Sequence, residues 1–279
     1  MIHGKELKMI AAAITLAALL AGCGAPQTKP ETPESGLTVD FLSTGKSDCT
    51  VICMDDLVIL SDTADADDYG AIAALLTERG IERIDYIILS HYDKDHIGAA
   101  GALIRNFTVG AVLRPDYVED SDEFEDMESA VASSGTRDLI LTGDYRIESE
   151  NGSVLVDPPD KNYGDDNNNS MLTTVTYKGR RLLFLADARK KRLEEFLSSA
   201  ERGYDLIKLP HHGDSNKPLL RLLRETRPAW AVEMLSRQET VEPELLQLLA
   251  ELDIPLFCTF DGSIRAVWTE NGLQVTQTA

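Results

Sequence analysis

The stretch from Ile84 to Phe107 constrains this chain most. Ile84–Leu89 reads as an apolar strand, and Ile97–Phe107 reads as a helix. Between them lies His91-Tyr92-Asp93-Lys94-Asp95-His96, with four metal-capable side chains in six residues. In extended backbone His91, Asp93 and Asp95 point to one side, and His96 then opens the helix. Two carboxylates packed beside each other repel unless a cation joins them. Imidazole and carboxylate both suit divalent transition ions. The cluster also sits at the C-terminal end of a strand, where α/β sheets place their ligand sites.

A second cluster repeats the placement. The chain has five histidines; His3 lies near the start, and the other two are His211 and His212. His211-His212-Gly213 directly follows the expected strand Leu206–Leu209. A third strand, Leu183-Phe184-Leu185-Ala186, ends in Asp187. An acid after a strand is usually a turn or cap residue, so Asp187 gains weight only beside the two histidine clusters.

Elsewhere the pattern alternates. Strands are expected at Leu37–Phe41, Thr50–Met54, Leu57–Leu60, Val109–Leu113, Val154–Val156, Met171–Tyr177, Arg181–Leu185, Trp230–Val232, Pro255–Thr259 and Ser263–Trp268. Helices are expected at Ala71–Glu78, stopped by Gly80, and at Lys190–Ser198, Leu219–Glu225 and Pro243–Leu252. Strands alternating with helices define a layered α/β domain, and no second linker interrupts residues 37–279. Eight acids between Asp116 and Glu128 read as a solvated helix face or loop. Cys49 and Cys53, four apart on one strand, are roughly 13 Å apart and cannot bridge. Buried free thiols are the expectation for them and for Cys258.

The N-terminus reads as an address. Lys5 and Lys8 precede an uncharged run, Met9–Gly22, shorter than the roughly 20 apolar residues that span a bilayer. Leu20-Ala21-Gly22-Cys23 resembles the bacterial lipobox, in which the cysteine is lipidated. The expected order is therefore a signal peptide over 1–22, Cys23 with a Pro/Thr/Glu/Ser-rich tether over 23–36, and a catalytic domain over 37–279. Removing 22 of 279 residues leaves 257, anchored by lipid on the outer face of the cytoplasmic membrane. No protein partner is evident.

The ordered motifs resemble the metallo-β-lactamase fold superfamily, and within it the ComEC-like hydrolase branch. Phe41-Leu42-Ser43-Thr44-Gly45-Lys46-Ser47-Asp48-Cys49 is similar to that branch's opening strand and glycine-rich turn. Asp62 matches the first acidic motif. His91 to Gly98 matches the HxHxDH signature with Asp93 for the second histidine. Asn168-Asn169-Ser170 resembles the segment that replaces the third histidine motif, Asp187 matches the bridging acid, and His211-His212-Gly213 matches the last ligand segment. The resemblance implies a four-layer αβ/βα sandwich with two divalent metal ions, zinc or manganese, along one edge. It assigns His91, Asp93 and Asp187 to one ion, with Asn169 nearby, and Asp95, His96, Asp187 and His211 to the other. Asp95 and Asp187 would serve catalysis, and His212 would stand behind the ligands. A histidine often found before the late helix is absent; Val241-Glu242-Pro243 stands there. Nothing resembles the ComEC membrane channel, so DNA uptake does not carry over.

Charge bears on the substrate. The formal net charge of −20 disfavours a general polyanion coat protein. Locally, though, Arg189, Lys190, Lys191 and Arg192 open an expected helix just after Asp187, where cations oppose the helix dipole. A broken local rule of this kind can mark a place for an anion, and a solvated basic face is the equal alternative; Lys208 and Lys217 lean toward the anion. The favoured reading is a small-molecule or polymeric phosphodiester cleaved by a metal-bridging hydroxide. The rivals are a carboxylic ester or lactone hydrolase of the same fold, and a catalytically weakened metal-binding protein.

Overall fold

The computed structural model describes residues 36–199 and 203–278. The expected signal peptide, Cys23 and the tether up to Ser35 lie outside the described residues. No helix among the described residues is long and apolar enough to cross a membrane.

The strands are apolar on both faces, so each sheet needs cover on both sides. β1 (Leu37–Phe41), β2 (Thr50–Met54), β3 (Leu57–Ser61), β4 (Arg83–Ile88), β5 (Thr108–Pro115) and β6 (Arg137–Leu141) lie side by side in chain order. β7 (Tyr145–Glu148), β8 (Gly152–Asp157), β9 (Leu172–Tyr177), β10 (Arg180–Phe184), β11 (Leu206–Lys208), β12 (Trp230–Glu233) and β13 (Leu256–Cys258) form a second sheet in the same manner. The closing hairpin, β14 (Ile264–Thr269) and β15 (Gly272–Gln277), returns to the first sheet and pairs β14 with β1. Each sheet begins antiparallel and turns parallel, from β3 onward in the first and from β10 onward in the second.

Parallel neighbours need crossovers, and the helices supply them. In the first sheet these are α1 (Tyr69–Glu78), α2 (Lys94–Ile97), α3 (Ala100–Asn106) and α4 (Asp122–Ser133). In the second they are α5 (Lys190–Ser199), α6 (Lys217–Thr226) and α7 (Pro243–Glu251). Three hydrophobic cores result. One lies between α1, α3, α4 and the first sheet, with Val51, Leu60, Ile72 and Phe124. One lies between the sheets, with Val39, Ile52, Ile59, Val175 and Val232. One lies between the second sheet and its helices, with Leu183, Ile207, Leu219 and Leu245. Alternation divides each strand: Ile52 faces the inter-sheet core and Val51 faces the helices. This is the expected αβ/βα sandwich.

The structure corrects the expected helix Ile97–Phe107. It breaks at Gly98 into α2 and α3, and α2 starts at Lys94, so Asp95 and His96 lie inside a helical turn rather than before it. A Cβ on Gly98 would lie 2.4 Å from Ala66 N, so only glycine lets this turn pack on the Asp65–Ala66 backbone. β6, β7 and β15 were not anticipated. All three are edge strands, and they lack a two-sided apolar signal. The acidic stretch becomes α4, whose Phe124, Met127 and Ala130 are buried beneath a solvated acidic face. Cys49, Cys53 and Cys258 are free thiols.

Ile59 is fully buried between the sheets, whereas Ile140 on edge strand β6 is 48% exposed. Ile59→Ala is expected to cost about 2–5 kcal/mol in denaturant unfolding, and Ile140→Ala under about 0.5 kcal/mol.

Candidate metal centre

Four parallel strands deliver the site. β3 leads into Asp62, β4 into Ser90-His91, β10 into Asp187 and β11 into His211-His212. Several junctions are strained. Asp62, Ala64, Ala186, His211 and His212 all have positive φ, between 46° and 58°. Left-handed non-glycine backbone costs free energy and gathers where a side chain must be aimed.

At the centre His96 is fully buried, with Nδ1 2.9 Å from Asp62 Oδ2 and Nε2 3.4 Å from Asp187 Oδ2. The His91 ring lies 4.1 Å from the His96 ring, centroid to centroid. His91 Nε2 is 3.4 Å from Asp93 Oδ2. From the other sheet, His212 Nε2 reaches 3.5 Å from Asp187 Oδ2 and 3.9 Å from Asp95 Oδ2. Three donor groups have all their ligand atoms within 4.8 Å of one another: His91, His96 and Asp187; Asp95, His96 and His212; and, on the Nδ1 side of His96, Asp48, Asp62 and His96.

A second layer fixes these side chains. Asp62 accepts from Ser90 N (2.7 Å) and Ser90 Oγ (2.8 Å) besides facing His96, and Ser90 Oγ lies 2.9 Å from His91 Nδ1. One carboxylate therefore orients both imidazoles, turning their Nε2 atoms inward. His212 Nδ1 is 3.0 Å from Met234 O, which aims its Nε2 likewise. Beneath the cluster Lys208 is buried; it pairs with Asp48 and donates to Ala186 O at 3.1 Å. Burial pushes the Glu233 carboxyl, beside Lys208, well above its ordinary range.

The placement of the expected residues is mixed. His91, Asp95, His96 and Asp187 converge as expected, and Asp93 stands half exposed beside His91. The two late histidines exchange places. His212 faces the cluster, while His211 turns outward to Asp214 (Nδ1 to Oδ2, 2.5 Å) and Arg189 (2.8 Å). The left-handed turn at both residues sets this, and strand alternation did not reveal it. A Cβ on Gly213 would lie 2.9 Å from Val241 Cα, so that turn needs its glycine. Asn169 is taken by its own loop, accepting from Tyr163 N and donating to Asn162 Oδ1. The neighbouring Ser170 Oγ is buried with no hydrogen bond.

The basic helix start is also not an open anion seat. Asn168 Oδ1 accepts from Lys191 N and Arg192 N, which fills it. Arg192 is buried against Ser170 O, Asp157 and Glu195, and Lys190 points to solvent beside Glu194. Lys208 is consumed by Asp48. Two cations remain at the rim. Lys46 lies 2.9 Å from Asp95 Oδ2, and Arg189 lies beside His211. Lys46 was not singled out from the sequence; its place in a glycine-bearing turn next to Asp48 was the available signal. The Glu242 side chain is exposed, and its N–H donates to Gly213 O.

The cluster fits a cation. His91 Nε2, His96 Nε2 and Asp187 Oδ1 are buried and make no hydrogen bond. Leaving such groups unpaired costs about 1–3 kcal/mol each, and a cation between them removes that penalty. The protein–protein alternative is protonation. Burial opposes it, but Asp187 outweighs burial and lifts the His212 pKa to about 9. Burial likewise opposes charge on Asp187, yet His96, His212 and Lys208 hold its carboxyl well below the ordinary range.

A two-sheet αβ/βα sandwich with this histidine and aspartate cluster on one edge defines a class of metal-dependent hydrolases. The chain belongs to the metallo-beta-lactamase superfamily, whose profile matches residues 42–232. It is similar to ComE operon protein 3 of Bacillus subtilis (strain 168), 23% identical over 189 residues, which fits the ComEC-like branch. That alignment takes in 66% of this chain and 24% of the relative, so the chain spans about a quarter of that protein. Among solved structures, the metallo-beta-lactamase fold protein YhfI from Bacillus subtilis superposes with a TM-score of 0.57 at 12% identity. The superposition covers 86% of this chain and all of that one.

Two outcomes follow for metal binding. Asp62→Asn is expected to weaken binding of zinc or manganese by about 10–100-fold in chelator competition, because His96 Nδ1 and Ser90 Oγ, which in turn holds His91, are left with one neutral amide oxygen in place of a carboxylate. Below about pH 9 His212 carries a proton that a cation must displace. Binding at pH 7 should therefore release protons and tighten as pH rises toward 9, read by calorimetry in buffers of different ionisation enthalpy.

Proposed function

We propose that this chain is a dinuclear metal-dependent phosphodiesterase. The observation that carries the reading is the pair of rim cations, Lys46 and Arg189, beside an oxygen-rich donor set. Asp93 supplies a carboxylate where the signature has its second histidine, which favours harder ions such as manganese beside zinc. His91, Asp93 and Asp187 would hold one ion, and Asp95, His96, His212 and Asp187 the other. When bound, the ions supply Lewis acidity and lower the pKa of water.

The chain's own groups do the rest. Asp62 and Met234 O hold three imidazoles with Nε2 inward. Asp95, gripped by Lys46, presents its carboxylate at the mouth. Asn167 fits between Arg189 Nη2 (3.2 Å) and Asp93 Oδ2 (3.3 Å) in the amide orientation that satisfies both, and so places the guanidinium at the rim. A bidentate guanidinium on one side and an ammonium on the other suit a non-bridging phosphoryl oxygen. A neutral carboxylic ester would use neither.

The same reading places the protein outside the cytoplasmic membrane, tethered through Cys23 by lipid; Leu20-Ala21-Gly22-Cys23 alone supports this. Nucleic acid and cell-wall phosphodiesters are the polymeric substrates it would meet there.

The test is hydrolysis of bis(p-nitrophenyl) phosphate by metal-stripped protein with manganese or zinc restored. Metal-dependent turnover is expected, with Asp187→Ala lowering it at least about 100-fold (about 2.7 kcal/mol of barrier). Metal uptake with no turnover would overturn the phosphodiester reading and favour a carboxylic ester hydrolase or a binding protein.

A further inference from the structure

A cavity of about 430 Å³ opens next to the metal cluster, on the His212 side. It lies between the 235–241 loop, α7 and edge strand β13, and its apolar walls are Leu235, Val241, Leu246, Leu256, Cys258 and Phe260. We propose that this cavity seats a planar aromatic ring carried by the phosphoester substrate; the proposal rests on the phosphoester reading of the neighbouring site.

Continuity with the cluster comes first. Leu235 follows Met234, whose carbonyl lies 3.0 Å from His212 Nδ1. Val241 packs against Gly213 closely enough to exclude a Cβ there, and Glu242 N donates to Gly213 O. Glu239, on the same wall, accepts from Ser236 N at 2.9 Å and Ser236 Oγ at 3.0 Å, which fixes the loop. The loop that roofs the cavity therefore touches the late histidine segment. A substrate with its phosphoryl group at His212 has this cavity as its neighbouring compartment.

The walls define the occupant. The exposed Arg237 guanidinium stands over the Phe260 ring, 5.9 Å from its centroid, and lies 3.7 Å from Asp261 Oδ1. Arginine and an aromatic ring side by side form a stacking platform for flat π-systems. Leu246, on α7, is one of three large apolar side chains left exposed among the described residues. A ring laid on Phe260 would cover it. Size agrees: a cavity of about 150 Å³ lined by aliphatic and aromatic groups takes benzene, so this one has room for one or two fused rings but not for a protein segment.

The experiment measures binding to the manganese-loaded protein by calorimetry, using phenyl phosphate, methyl phosphate and uridine 5′-monophosphate. Phenyl phosphate should bind about tenfold tighter than methyl phosphate, from burial of the ring. Leu246→Asp, at an exposed site, and Phe260→Ala should each bring that ratio to about one and leave methyl phosphate affinity unchanged. Uridine monophosphate matching the phenyl ester would identify a nucleobase as the ring, and matching the methyl ester would identify a plain aryl group. Equal affinities for phenyl and methyl phosphate, no phenyl phosphate binding, or a ratio that survives both variants would overturn the proposal. Turnover of bis(p-nitrophenyl) phosphate is read separately. A ring preference without turnover would sink the phosphodiesterase reading and leave the aromatic seat standing.

Discussion

The carboxylate of Asp62 ties the site to the fold. It stands just past β3, in left-handed backbone, and its oxygens take Ser90 N, Ser90 Oγ and the His96 ring at once. Those partners belong to the next parallel strand and to the helix that follows it. The same contacts that close β3 onto β4 therefore decide where two imidazoles point. Thr63 extends the tie, because its N–H and hydroxyl both donate to His96 O. A network with every member satisfied is rigid, and in a buried setting each bond is electrostatically strong. The inward Nε2 atoms of His91 and His96 and Asp187 Oδ1 are left without hydrogen bonds, facing one another across the cluster.

The second sheet orients one ring, His212, through Met234 O, and it also balances charge. Asp48, Asp95 and Asp187 bring three carboxylates close to one another, which in a low dielectric is unfavourable. Lys208 rises from β11 into their midst; against the cost of burial, Asp48 and Asp187 lift its pKa above the ordinary range. Burial pushes the Glu233 carboxyl well above its own ordinary range. The cluster thus carries one fixed internal cation and leaves the remaining negative charge facing inward. That is the electrostatic setting in which divalent ions bind tightly and protons compete with them.

The layered fold was legible because strand and helix periods are strong wherever both strand faces are buried, as in β2 and β3. The edge strands were not, since Arg137 and Asp138 in β6 and Arg146 and Glu148 in β7 are exposed. Within the site, the strand-end positions of His91, Asp95, His96 and Asp187 were legible by the same logic. Which of His211 and His212 faces inward was not, because three successive left-handed residues, ending in Gly213, have no side-chain period to read. The basic run at 189–192 misled for another reason. Composition shows charge, but only packing shows that Arg192 is buried and that Asn168 occupies the helix start.

The overall charge of −20 and an anionic substrate are compatible once distance is weighed. Salt screens exposed charges beyond about 8 Å at physiological ionic strength. The acids of α4 point to solvent, and Asp126 and Glu128 are partly engaged by Arg105 and Arg114. At contact range, what a ligand meets is Lys46 on one side, Arg189 on the other and the cations the cluster would hold between them. Coulomb energy at about 4 Å near a protein surface is several-fold larger than in bulk water. The near charges therefore decide binding, and the far ones only slow the approach of polyanions. On the proposed phosphodiesterase reading, such a site would take short or singly presented phosphodiesters more readily than long duplexes, and the compact apolar cavity on the His212 side suits the same scale of substrate.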